Sequence, residues 1–314
     1  MRLSFTAIIA SVYLSALGLV PGFLLGLLPG LAPGSAAAAA PCDEFVARLP
    51  NVKRAFCESA RLQASNARST QGRTLWVRDI QPAQAGQSGP GVQPLRVLVV
   101  GAIHGDELSS ASLALHWLHM AQDMPSDMPQ AVHWRFIPAL NPDGLLSLPP
   151  RRVNASGVDL NRNFPTPNWE RDAKIYWENR TKKDPRRYPG PKPLSEPESR
   201  FLHEDMQRFK PHLIVSIHAP YGVLDFDGPA KEGVVPPSRL GRLYLDQVGI
   251  FPGSLGNYGG VHKGIPVVTI ELPNSTRTPL DAEMRQMWLD LLRWMTERLG
   301  QREGSRAGPP PRLP

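Results

Sequence analysis

Leu95-Arg96-Val97-Leu98-Val99-Val100, followed directly by Gly101-Ala102-Ile103-His104-Gly105-Asp106-Glu107, is the stretch on which the fold turns. Six residues, all Val or Leu except Arg96, suit a parallel strand covered on both faces. The glycine-flanked turn ends that strand and carries His104 and Glu107 three positions apart. Apolar residues then recur at helical spacing over about 108–122, so the segment reads strand, turn, helix.

Working outward, the alternation repeats. Residues 43–64 read as helical with a break near Pro50, residues 74–80 as a strand, and 81–94 as a Gly/Pro/Gln loop. On the other side, 132–138 is a strand, and Asn141-Pro142-Asp143-Gly144 has turn composition. Residues 145–194 are polar, Pro-rich and aromatic with little periodicity, and loops of that length are usually functional. Ser195-Glu196-Pro197-Glu198 matches a capping box and opens a helix to about Phe209. A strand over 212–217 ends at His218, a helix is expected near 238–248, and a Gly-rich loop spans 253–260. A strand over 265–270 ends at Glu271, and a last helix covers about 280–299. This order predicts an α/β fold: a single domain with a mixed, mostly parallel twisted sheet and helices on both faces. His104, His218 and Glu271 each follow the carboxyl end of a predicted strand, the edge where open α/β sheets gather ligands.

The termini differ from this body. Arg2 is the only charge in the first forty residues, an apolar run extends from Phe5 to about Leu31, and small residues fill 34–40. That pattern predicts a secretory signal peptide over 1–40. A retained membrane anchor is the rival, but Pro21, Pro29 and Pro33 interrupt the run. Pro41 before Cys42 argues against lipidation. The expected catalytic domain covers 41–303, with a disordered tail over 304–314. The predicted location is exported, periplasmic or secreted, with no membrane attachment once the signal is removed. The only cysteines, Cys42 and Cys57, are expected to pair in an oxidising compartment. Closing so short a loop contributes roughly 3 kcal/mol in the chain-entropy model. The net charge of +7 comes from Lys and Arg scattered along the chain apart from Arg180–Arg187. No nucleic-acid motif accompanies it, so the charge reads as a solvated surface suited to an acidic polymer.

His-x-x-Glu alone is weak, and His116, His119, His133, His203, His212 and His262 are given no role. Here, however, His104, Glu107 and His218 offer two imidazoles and one carboxylate. That set holds zinc and leaves a fourth position open, as catalytic sites do.

Five motifs in order carry a family resemblance. They are His104-Gly-Asp-Glu107, Asn141-Pro-Asp-Gly144, Gly157-Val-Asp-Leu-Asn-Arg-Asn-Phe-Pro165, Ser216-Ile-His218 and Thr269-Ile-Glu271-Leu-Pro273. Over about residues 65–300 the chain resembles the zinc carboxypeptidases, and within them the bacterial murein peptide amidases. The second likeness rests on Tyr188–Glu198, His218-Ala-Pro220 and Asp225-Phe-Asp-Gly228. The resemblance implies one zinc ion on His104, Glu107 and His218, with Glu271 as general base then acid toward metal-activated water. It implies Asp159 as the hydrogen-bond partner of a zinc histidine, and Arg152, in preference to Arg151, as oxyanion stabiliser. Asn161 and Arg162 would grip the substrate's terminal carboxylate. Tyr258 is expected to line the pocket, although it lies only thirteen residues before Glu271, where digestive carboxypeptidases place a mobile tyrosine about twenty before. Asp225 or Asp227 would meet the distal ammonium of diaminopimelate. The implied substrate is a murein-derived peptide cut at γ-D-Glu–diaminopimelate. A general carboxypeptidase of L-peptides, a deacylase of the aspartoacylase or succinylglutamate desuccinylase type, and a non-catalytic wall-binding module are the rivals. Oligomeric state stays open.

Overall fold

The computed structural model describes residues 41–82, 93–124, 131–228 and 234–299. The expected signal segment and tail lie outside the described residues. In chain order the strands are β1 (Gln63–Arg68), β2 (Thr74–Ile80), β3 (Leu95–Val100), β4 (Val132–Ile137), β5 (Leu213–His218), β6 (Val223–Asp227), β7 (Arg239–Leu240), β8 (Leu243–Tyr244) and β9 (Val267–Glu271). The α-helices are α1 (Cys42–Val46), α2 (Arg54–Ser59), α3 (Leu108–Gln122), α4 (Pro142–Leu146), α5 (Trp169–Ile175), α6 (Pro197–Phe209) and α7 (Asp281–Arg298).

Seven strands form one sheet in the order β1-β2-β4-β3-β5-β9-β6. The central four, β4, β3, β5 and β9, run parallel, whereas β1, β2 and β6 add antiparallel flanks. Alternation along β3 sorts the core. Val97 and Val99 pack with Trp117 of α3 and Trp288 and Leu291 of α7, while Leu98 and Val100 pack with Leu202 and Met206 of α6. The sheet therefore has helices on both faces, as its apolar β3 and β5 require. A disulfide joins Cys42 to Cys57 and ties α1 to α2. Among the described residues no helix is long and apolar enough to cross a membrane.

Three expectations are corrected, and one strand is added. The helical reading over 43–64 gives two short helices and then β1, whose Gln63 and Ala64 already pair with β2. The predicted helix over 238–248 is instead the β7–β8 hairpin, with Gly241 at φ +57° between its strands. β6 escaped notice because Gly222 and Gly228 bracket only five residues. The capping box does not form: Glu196 is the N-cap of α6, without a side-chain cap, and Ser195 Oγ donates to Glu196 instead. The stretch 145–194 is also more ordered than its composition suggests, with α5, a π-helical turn over Tyr176–Arg180 and short 3-10 turns.

Candidate active site

The carboxyl edge of the parallel strands gathers the polar residues. Past the end of β3 the chain turns tightly, and two glycines permit the turn. A Cβ on Gly101 would come within 2.6 Å of the Pro138 carbonyl oxygen, and one on Gly105 within 2.2 Å of the Gly144 backbone. The Asn141–Gly144 motif thus serves as the floor on which the His104 turn rests. That packing delivers His104 and then Glu107, the N-cap residue of α3, to the side of His218, the last residue of β5.

The three side chains meet. His104 Nδ1 lies 2.7 Å from Glu107 Oε1, and His218 Nδ1 lies 3.1 Å from Glu107 Oε2. The two Nδ1 atoms are 3.2 Å apart. All three residues are buried, and each offers a ligand atom within 4.8 Å of the others. The remaining ring nitrogens are engaged: His104 Nε2 with Asp159 Oδ1 at 3.1 Å, and His218 Nε2 with Ser216 Oγ at 2.9 Å. Nε2–H donation to these acceptors leaves both Nδ1 lone pairs aimed at the Glu107 carboxylate. Two lone pairs and an anion facing one another are mutually repulsive unless a cation lies between them, and the donor set is that of an open zinc site. The surrounding charges favour a cation here. Burial and Arg152 push the His104 imidazole down, yet Glu107 and Asp159 hold it above its ordinary value. Burial likewise pushes Glu107 up, but His104 and His218 hold its carboxyl far below the usual range.

Glu271 ends β9 and is the direct register partner of His218 on β5. It is 6% exposed, and its Oε2 is buried with no hydrogen-bond partner among the described residues. Burial raises its carboxyl above the ordinary value; His218 opposes the shift and Glu107 adds to it. Arg152 grips Asp159 Oδ2 with Nε at 3.0 Å and Nη2 at 2.9 Å, while Nη1 stays 3.7 Å from Glu107.

Asn161 and Arg162 lie on a short 3-10 turn whose Asp159 cap accepts from the Asn161 N–H. Asn161 Oδ1 accepts from the Leu255 N–H at 2.8 Å. The Arg162 guanidinium is buried, 4.5 Å from the Phe251 ring centroid and 5.9 Å from that of Tyr176, and its Nε has no hydrogen-bond partner among the described residues. Burial is the main reason its guanidinium falls below its ordinary value. Arg152, Asn161, Arg162, Phe251 and Glu271 line one cavity of about 510 Å³, as do Asp225 and Asp227 of β6. Burial raises both carboxyls, Asp227 to about 7 with the Asp225 charge adding to the effect.

Tyr258 does not join them. Its ring lies in the core beside Phe164, 5.8 Å between centroids, and its hydroxyl bonds His203 Nδ1 at 2.7 Å. The π-helical turn Gly256–His262 sets Gly256 against the cavity and directs Tyr258 away from it, which corrects the expectation that it lines the pocket. Ser216 went unassigned in the sequence, although residues two apart on a strand share a face and so place it beside His218. No sequence signal links Phe251 and Tyr176 to Arg162.

The sequence profile of the zinc carboxypeptidase family matches residues 50–226. Murein peptide amidase A of Escherichia coli K12 is 30% identical over 220 residues, which span 68% of this chain and 82% of that protein. The solved murein-tripeptide amidase of Escherichia coli O157 matches with a TM-score of 0.51 and 25% identity, over 74% of this chain and 92% of that one. Carboxypeptidase A of Helicoverpa armigera shares the fold with a TM-score of 0.53 at 18% identity, over 81% of this chain and 71% of its own. By fold and site the molecule is a zinc metallopeptidase. The chain belongs to the zinc carboxypeptidase family.

Proposed function

We propose that this chain hydrolyses the amide bond before the C-terminal residue of murein-derived peptides, at γ-D-glutamyl–diaminopimelate. One observation carries the reading: a single cavity holds a buried guanidinium, Arg162, and two buried carboxylates, Asp225 and Asp227, beside the metal-donor cluster. A released diaminopimelate carries a terminal carboxylate and a distal ammonium, and so requires both signs of charge in one site. The similarity to murein peptide amidase A supports the same substrate.

His104, Glu107 and His218 would hold a zinc ion, which would supply Lewis acidity for acidifying water and polarising a carbonyl. Glu271 accepts the water proton, its Oε2 being uncommitted, and returns that proton to the departing amine nitrogen. Arg152 donates from Nη1, the corner not bound to Asp159, to the carbonyl oxygen as negative charge grows there. Asn161 and Arg162 hold the terminal carboxylate, and Phe251 keeps the guanidinium plane fixed. Asp225 and Asp227 receive the distal ammonium.

The reading includes export. The composition of residues 1–40 and the Cys42–Cys57 disulfide support it, because such bonds persist in oxidising compartments.

The test incubates the protein with L-Ala-γ-D-Glu-diaminopimelate and with ordinary L-peptides, with and without chelator, and identifies products by mass. Free diaminopimelate in the metal-loaded sample alone is expected. Cleavage of L-peptides alone would replace the murein reading with a general carboxypeptidase. Glu271→Gln is expected to keep its metal content and lose about a thousandfold in kcat; unchanged turnover would remove Glu271 as the base.

A further inference from the structure

Arg162 and Arg187 both line the catalytic cavity, and one guanidinium suffices for one terminal carboxylate. Their surroundings differ. Arg162 is 4% exposed on the floor, whereas the Arg187 side chain is 34% exposed at the rim. The neighbouring Arg186 is already satisfied by Asp106 at 2.8 Å. Among the described residues Arg187 has a loose partner, Asp184 Oδ2 at 3.6 Å, and the other oxygen of that carboxylate accepts from the Arg186 N–H. The Arg187 backbone is nonetheless firmly held. Its N–H donates to the Asp184 carbonyl, and the next carbonyl, that of Tyr188, accepts from the Asp159 N–H at 2.8 Å. The Arg187 charge also reaches Arg162, where it opposes the buried guanidinium. The cavity wall thus holds a second guanidinium whose ion pair is loose, which fits a ligand carrying a second negative charge.

We infer that Arg187 binds a second carboxylate of the substrate, that of the residue on the acyl side of the scissile bond. This rests on the reading above only in placing the terminal carboxylate at Arg162, which leaves the rim to the acyl half. A γ-linked glutamate carries a free α-carboxylate a short methylene chain from the scissile carbonyl, so the assignment makes Arg187 a specificity-determining residue for acidic acyl residues. Its partial exposure allows the side chain to be changed without opening the core.

The experiment compares wild type, Arg187→Gln and Arg187→Lys in steady-state kinetics on two substrate pairs. One pair is L-Ala-γ-D-Glu-diaminopimelate and the same peptide with the glutamate α-carboxylate amidated. The other is an L-peptide pair with Glu or Gln as the acyl residue. Wild type is expected to lose about tenfold in kcat/KM on amidation, mostly through KM. Arg187→Gln should show the same loss on the acid and no further loss on the amide, with Arg187→Lys between them. Equal losses on acid and amide, or a wild type indifferent to amidation, would overturn the assignment. If wild type cleaves only L-peptides, the murein reading fails while the Glu/Gln pair still decides the role of Arg187. Melting curves of the three proteins establish that they are equally folded.

Discussion

Asp159 holds His104 and Arg152 at once, with Oδ1 3.1 Å from the imidazole Nε2 and Oδ2 3.0 Å from the guanidinium Nε. Burial alone would raise this carboxyl, yet Arg152 first and then His104 hold it well below its ordinary value. One side chain thereby fixes both the tautomer of the His104 imidazole and the aim of the Arg152 guanidinium. Asp159→Asn is expected to weaken zinc binding about 10–100-fold, read by competition with a chromogenic chelator. It should also lower kcat at saturating zinc, because Arg152 loses its anchor.

Asp227 makes a pH-dependent prediction. Its folded-state value, about 7, lies above the ordinary 3.8. The unfolded chain therefore releases this proton first as pH rises, so the stability attached to the neutral form is complete below 3.8 and is lost by the time pH passes about 7. Asp227→Asn removes that loss. In urea denaturation the variant should match wild type near pH 4 and exceed it at pH 8 by roughly 4 kcal/mol, about 1.4 kcal/mol per unit of the shift from 3.8 to about 7. Binding runs the opposite way. For a substrate with a distal ammonium, the wild-type KM should fall as pH rises through about 7, whereas the KM of the variant should stay high and flat.

Gly105→Ala tests the support of the metal turn. Its Cβ would strike the Gly144 backbone at 2.2 Å, which neither segment can relieve by a side-chain movement. Stability should fall by about 1–3 kcal/mol, and zinc content after gel filtration should fall with it. A substitution at Gly157, where a Cβ meets nothing within 4 Å but φ is +78°, should cost stability and leave zinc binding intact.

The disulfide lies away from the chemistry, joining two helices that lead into β1. Replacing both Cys42 and Cys57 by Ser should lower the unfolding free energy by about 3 kcal/mol. At 25 °C kcat/KM should be unchanged.

Much of this site was legible because its residues come at strand ends. The apolar β3 and β5 announce themselves by composition, and His104, His218 and Glu271 follow from where such strands stop. What stayed hidden depends on tertiary contact. Ser216 becomes a histidine partner only once the His218 ring is oriented, and Phe251, 89 positions after Arg162, meets it only when the loops close. Tyr258 lies thirteen residues before Glu271 and not about twenty, a spacing that already sets it apart from a mobile tyrosine; that its ring points into the core is decided by a π-helical turn the sequence does not announce. β1 and the β7–β8 hairpin were obscured because short, exposed strands carry no continuous apolar run.

The shared rung of β5 and β9, which sets His218 directly beside Glu271, has a consequence for how the molecule can fail. Side chains alternate along a strand, so a slip of one residue between these two strands would turn Glu271 to the opposite side of the sheet. No intermediate alignment retains a weakened version of the pair. Proteolytic nicks or insertions in the outer loops are therefore tolerated to the extent that they leave the two central strands in step, and residual hydrolysis serves as a stringent gauge of whether the middle of the sheet is intact.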